Sequence, residues 1–330
     1  MKPSVIGRRG FFAKAAGLLG ATRALSAPAG SAVRQERLTS GIHSSGRFED
    51  TMIFERKPFT WPGGKSVAVW VVPNVEIWSF DSAVDAAIAP TGAAGPDVIN
   101  YGTREYGLRV GLWRIADVLD SAGIKGTVAL NSGVCETYPK AVDEMKKRGW
   151  EFMGHGVTNS RTLSSLSLDA ETLVIHSCLQ TIEKATGKKV NGWLSPGQAQ
   201  TVNTLDILGQ AGVLYTGDWN NDDQPARINV KTGNLYALPY CLIINDTNLY
   251  SAWSFTGEQY YQSIVDQFDT LVEDSRKQPR VMGLPIHPFL VGQPEHIKYF
   301  QRAIQHIKAS DRAWLATGSE IIDAYRKVHA

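Results

Sequence analysis

The chain has 330 residues, 43% hydrophobic and 20% charged, the balance of a soluble globular protein with length for one large domain or two small ones. Its formal net charge of +2 lacks the basic footprint that nucleic-acid binding requires. Three cysteines (Cys135, Cys178, Cys241) have no metal-type spacing, and their odd number predicts buried thiols rather than a disulfide framework.

Residues 1–30 read as an export signal: a basic start, a short apolar run and small residues near Ala27. Arg8-Arg9 ahead of "GFFAK" resembles the twin-arginine signal, although Gly7 stands where Ser or Thr is usual and Arg23 interrupts the apolar run. The expected destination is the periplasm. The apolar run is too short for a membrane span, and no later segment is long enough either. Residues 31–61 are polar and weakly patterned, an N-terminal arm, and residues 62–330 form a single domain.

Within that domain strand-like and helix-like segments alternate. "SVAVWVVPNV", from Ser66, predicts a buried strand. "GLRVGLWRIADVLDSAG" has apolar residues at Leu108, Leu112, Ile115 and Leu119, a helical period closed by Gly123. Then come the strand "GTVALN", the helix "YPKAVDEMKKRG", the strand "WEFMG" and the helix "DAETLVIHSCLQTIEKATG". The strand "VNGWLSP", the helix "TVNTLDILGQAG", the strand "VLYTGD" and the strand-like "NLYALPYCLI" follow. A helix over about 257–277, the strand "RVMGLPIHP", the helix "EHIKYFQRAIQHIK", the strand "AWLAT" and the helix "SEIIDAYRKV" close the chain.

Such alternation implies an α/β fold with a parallel sheet, open or closed into a barrel. The polar residues fall at the strand ends: Asn74 and Glu76 after the first, Asn131 after the second, His155 after the third. "SPGQ" follows the fourth, Asp218 the fifth and His287 a later one. Reactive side chains at the carboxyl ends of successive strands converge on one rim, the usual place for a barrel active site.

"MGHGVTNSRT" sets His155 and Asn159 four residues apart. Two histidines at that spacing would be half of a zinc site, but an amide oxygen is a poor zinc ligand. The cofactor is therefore either absent or a weakly held divalent metal, zinc included, with Glu76 and His155 as its ligands. Asn159 is expected to offer a hydrogen bond to a substrate carbonyl. Glu76 is the candidate general base and His287, at the end of an apolar strand, the candidate general acid. Asp218 is expected to orient an imidazole and raise its pKa. His155 completes the catalytic set, and Asn74, Asn159, Trp78 and Trp219 are expected to contact substrate. Plainer roles stand beside these: a cap for Glu76, a loop hydrogen bond for His155, a buried structural histidine at His287, core packing for the tryptophans.

Together, "YGTREYGLRVGLWRIADVL", "RGWEFMGHGVTNS", "NGWLSPGQAQTVNTLDILGQAG", "YTGDWNNDDQP" with "LPY", and "GLPIHPFLVGQP" resemble the polysaccharide deacetylase superfamily. Within it they are most similar to the allantoinase-like and cyclic-imide-hydrolysing branch. The resemblance spans about Arg56 to Arg326 and implies a distorted (β/α) barrel forming a single catalytic domain. Metal-dependent members carry an aspartate pair after the first strand and two histidines four apart after the third. Here Asn74 and Glu76, and His155 and Asn159, occupy those places. The family's arginine before a proline is Leu194 or Ser195 here, while its later aspartate and late histidine match Asp218 and His287.

The resemblance implies a hydrolase of non-peptide amide C–N bonds, with a cyclic imide or ureide as substrate. A metal-dependent polysaccharide N-deacetylase and a non-catalytic carbohydrate-binding protein on a decayed barrel are the alternatives. The expected partner is a small molecule or sugar, with no nucleic acid and no membrane span; homo-oligomer formation is left open.

Overall fold

The computed structural model describes residues 44–82, 92 and 95–329. The export signal and residues 31–43 of the expected arm lie outside them. Among the described residues nine strands run as β1 (Val67–Val75), β2 (Thr127–Leu130), β3 (Glu151–Gly154), β4 (Gly192–Trp193), β5 (Tyr215–Thr216), β6 (Ala226–Ile228), β7 (Leu235–Ala237), β8 (Arg280–Ile286) and β9 (Ala313–Leu315). The helices are α1 (Val98–Tyr106), α2 (Leu112–Ala122), α3 (Gly133–Thr137), α4 (Pro139–Lys147), α5 (Leu168–Thr186), α6 (Thr204–Gln210), α7 (Gly257–Asp274), α8 (Ile297–Ala309) and α9 (Gly318–Val328).

The sheet order is β6-β7-β5-β4-β3-β2-β1-β8, parallel except for the β6–β7 hairpin, with β9 added to the first residues of β1. It curls into the half-barrel of the polysaccharide deacetylase type, as expected. Strand period 2 divides the core between its two faces. Val67, Val69 and Val71 join the cluster under the helices, while Ala68, Trp70 and Val72 meet Met153, Leu194, Tyr215 and Tyr240 in a second cluster.

Pro73 lies inside β1 yet breaks no ladder. Val67 N–H, Val69 C=O and Val75 C=O all bond toward the β9 and β2 side. Pro73 shares their parity and falls between those two pairings, where no donor is required.

Between β8 and the hairpin edge a segment of irregular chain fills the gap. Trp70 Nε1 donates to Pro239 O at 2.8 Å, and a Cβ on Gly283 would lie 2.7 Å from the carbonyl oxygens of Pro239 and Tyr240. Only glycine permits that approach. This is why "NLYALPYCLI" gives a strand over Leu235–Ala237 alone.

The helix expected from Gly107 begins earlier, as α1, and passes to α2 through one π-helical stretch, Gly107–Gly111. A Cβ on Gly107 would sit 2.6 Å from Phe289 N, and one on Gly111 2.1 Å from Pro288 O. The helix therefore rests directly on the backbone that follows His287. That contact brings α1 to the rim.

Candidate active site

Glu76 leaves β1 buried at the rim and is held on one side only. Its Oε1 lies 3.0 Å from His155 Nε2 and accepts from Asn159 Nδ2. Its Oε2 lies 3.8 Å from His287 Nε2. Burial pushes the carboxyl's pKa up, but the facing His287, the bonded His155 and the Asn159 amide outweigh it and hold the group below its ordinary value.

The direction of the Asn159 amide follows from its neighbours. Ile77 N–H can only donate, and it meets Asn131 Oδ1 at 2.9 Å. Asn131 must then turn its NH2 outward, toward His155 O and, at 3.0 Å, toward Asn159 Oδ1. Asn159 is left to aim its own NH2 at Glu76. His155 Nδ1 meets Leu194 O at 2.7 Å, so that nitrogen carries a proton and Nε2 faces the carboxylate.

His287 is positioned by a residue that the sequence reading missed. Asp246 Oδ1 lies 2.6 Å from His287 Nδ1, and Asp246 Oδ2 accepts from His287 N–H at 2.7 Å. Burial lowers the imidazole's pKa, yet the charges of Asp246 and Glu76 and the Asp246 hydrogen bond together raise it above its ordinary value. A carboxyl group whose ionised form is favoured thus faces an imidazole whose protonated form is favoured.

Of the expected site residues, Asn74, Glu76, Trp78, His155, Asn159 and His287 all line one cavity of about 360 Å³. Asp218 and Trp219 do not line it. Asp218 accepts from Ser195 N–H and Ser195 Oγ, both at 2.7 Å, and the place beside His287 belongs to Asp246. Burial pushes the Asp218 carboxyl up, partly offset by Ser195. Trp219 packs on Phe48, with ring centroids 5.1 Å apart. Asn159 spends its NH2 on Glu76 rather than holding it ready for a substrate carbonyl. Asn74 is likewise engaged, accepting from Tyr240 OH at 2.9 Å and donating to the carbonyls of Val72 and Ile286.

A tightly held transition metal does not fit this donor set. The set offers one imidazole and one carboxylate, and the third corner presents amide hydrogens instead of a lone pair. Among the described residues no three His, Cys, Asp or Glu side chains are grouped to hold a metal ion.

Residues 98–216, from α1 to β5, match the polysaccharide deacetylase family model. Over that stretch the chain is similar to the polysaccharide deacetylase family. A Schizosaccharomyces pombe protein provisionally named a polysaccharide deacetylase is 27% identical over 246 residues, 68% of this chain and 75% of its own. A Pseudomonas aeruginosa PAO1 structure, also provisionally named a polysaccharide deacetylase, superposes with TM-score 0.76 at 23% identity over 85% of this chain and 99% of its own. PuuE allantoinase gives TM-score 0.76 at 22% identity over 85% and 98%. At these identities the structural likeness establishes the fold.

Proposed function

We propose that the protein opens a small cyclic amide, an imide or ureide, by hydrolysing one C–N bond without a tightly held transition metal. The observation that carries this reading is the pair Glu76 Oε2 and His287 Nε2, 3.8 Å apart and both facing the cavity. Glu76 Oε2 takes a proton from water as the water oxygen bonds to the ring carbonyl carbon. His287 Nε2 then gives its proton to the ring nitrogen, the C–N bond breaks, and a carboxyl and a free amide or urea end remain on one molecule. Opposite protonation states in adjacent groups are what paired general base and general acid require at neutral pH. His155 and Asn159 hold the base in place. The cavity suits a single small ring, walled by Trp78, Phe289, Tyr240 and Leu242. The same fold is that of PuuE allantoinase.

The family match favours a second reading, removal of an acetyl group from an amino sugar. Dialysis against a chelator, followed by assay with succinimide, hydantoin and N-acetylated chito-oligosaccharides, separates the two. Ring opening that survives dialysis is the expected result. Deacetylation lost with stoichiometric zinc would replace the proposal, and sugar binding without turnover would make the barrel a binding protein.

We also propose that the protein is exported to the periplasm already folded, on the strength of Arg8-Arg9 and the apolar run behind them.

A further inference from the structure

Building on the ring-opening reading, we propose that the substrate has a carbonyl on each side of its ring nitrogen, and that Asn245 recognises the carbonyl that is not cut. Asn245 closes the short 3₁₀ turn Leu242–Ile244 and lines the cavity, although it is only 5% exposed. Its Oδ1 accepts from Thr247 N–H at 3.0 Å and from Thr247 Oγ1 at 2.6 Å. A backbone N–H can only donate, so the oxygen must face Thr247 and the NH2 must turn away from it. Among the described residues no group accepts from that NH2. Four other carboxamides among the described residues line the same cavity, and each has its NH2 engaged. Asn74 donates to Val72 O and Ile286 O, Asn159 to Glu76, Gln198 to Gly217 O at 3.1 Å and Asn248 to Leu242 O at 2.8 Å. Asn245 differs from all four. A nearly buried donor without an acceptor costs stability, and a ligand carbonyl offsets that cost.

The place of Asn245 beside the general acid decides which carbonyl it meets. Asp246, the next residue, holds both the Nδ1 and the backbone N–H of His287, so Asn245 and the acid belong to one wall. The carbon under attack meets the water at Glu76, and the ring nitrogen meets His287 Nε2. The carbonyl on the far side of that nitrogen therefore falls on the wall of Asn245. When the C–N bond breaks, its electron pair goes to the nitrogen, which takes the His287 proton. Negative charge building on the way is shared with the second carbonyl oxygen through the amide that remains. An N–H donor aimed at that oxygen binds the ground state and stabilises the charge as it develops. A simple lactam has no second carbonyl, so it leaves the Asn245 NH2 unpaired, and a site built around a hydrogen bond discriminates against the ligand that lacks it.

The test uses a matched pair, succinimide with two carbonyls beside the nitrogen and 2-pyrrolidinone with one. Both are titrated calorimetrically in the cold into the wild-type protein, Asn245→Ala and Asn245→Asp. The wild type should bind succinimide roughly 10-fold more tightly than the lactam, the effect of one hydrogen bond to an otherwise unpaired donor. Both variants should bring that ratio to about one through weaker succinimide binding, with the lactam affinity little changed. Asn245→Asp keeps the acceptor for Thr247, so it removes the donor without removing the contacts of the turn. A melting curve for each variant shows that it is folded. Equal affinities in the wild type would overturn the proposal, as would a preference that survives in both variants. An equal loss for both ligands in both variants would overturn it too, since Asn245 would then only shape the wall. Turnover is read separately. Preference for succinimide without ring opening defeats the proposed reaction and leaves the role of Asn245 standing, while ring opening with equal affinities does the reverse.

Discussion

Asp246 grips His287 at two points, its Oδ1 on the ring Nδ1 and its Oδ2 on the backbone N–H of the same residue. Asp246 is wholly buried, so the histidine meets this carboxylate with little solvent screening. The result is a fixed ring with Nε2 as its titrating, cavity-facing atom. Asp246→Asn keeps an acceptor of the same shape and removes the charge. The His287 pKa should fall, moving the alkaline limb of the pH–rate profile to lower pH and cutting turnover at pH 8 by roughly 10-fold or more. Stability gives an independent check. A raised histidine pKa contributes fully below the ordinary value of about 6.5 and is lost as pH climbs through the raised one. The wild type should therefore lose more of its melting temperature between pH 6 and 9 than the variant does. An unmoved limb would mean that His287 is not the acid.

His287→Ala removes the proton donor to the leaving nitrogen. Turnover should drop roughly 10²–10⁴-fold, the usual contribution of a general acid, with the fold intact. A lower melting temperature with full activity in the folded fraction would reassign His287 to a structural role.

Asn159→Leu takes one donor from Glu76 and leaves the Asn131 amide with only His155 O as acceptor. Because that donor helps to lower the Glu76 pKa, the acid limb of kcat/KM should move upward, toward the usual carboxylate range. Asn159→His is the converse change. It replaces amide hydrogens with a ring lone pair beside Glu76 and His155, and should raise zinc affinity measured by competition with a colorimetric chelator. Equal zinc affinity in wild type and variant would show that the amide is not what keeps metal out.

Replacing Arg8 and Arg9 with lysine should leave the protein in the cytoplasm, by fractionation and blotting of the periplasm. Normal export of that variant would remove the twin-arginine assignment.

The strand ends that carry the site were legible because period and position suffice for them. A β-branched run ending in Asn74 and Glu76, and an apolar run ending at His287, place those side chains on the rim whatever the loops do. Asp246 was not legible. It lies in an irregular stretch after a short 3₁₀ turn, 41 residues before its partner, and no period marks it. Asp218 misled for the opposite reason. It sits at a strand end as the pattern demands, but Ser195 on the neighbouring strand end offers two donors and captures the carboxylate. Helix α1 was hidden because its apolar residues Val98 and Ile99 are exposed, leaving no core-facing stripe to read. Nor could sequence reveal which way Asn159 turns, since that depends on the Ile77 backbone N–H acting through Asn131.

Glu76 has one oxygen engaged by His155 and Asn159 and the other open toward His287. Water can thus be activated from a single side, and the attacked carbonyl must present one face to it. A ring bearing a stereocentre presents that face with its substituent on one side in one enantiomer and on the other side in its mirror image. A racemic substituted ring should accordingly be consumed to one half and then slow, leaving one enantiomer in excess in solution, as chiral chromatography would show.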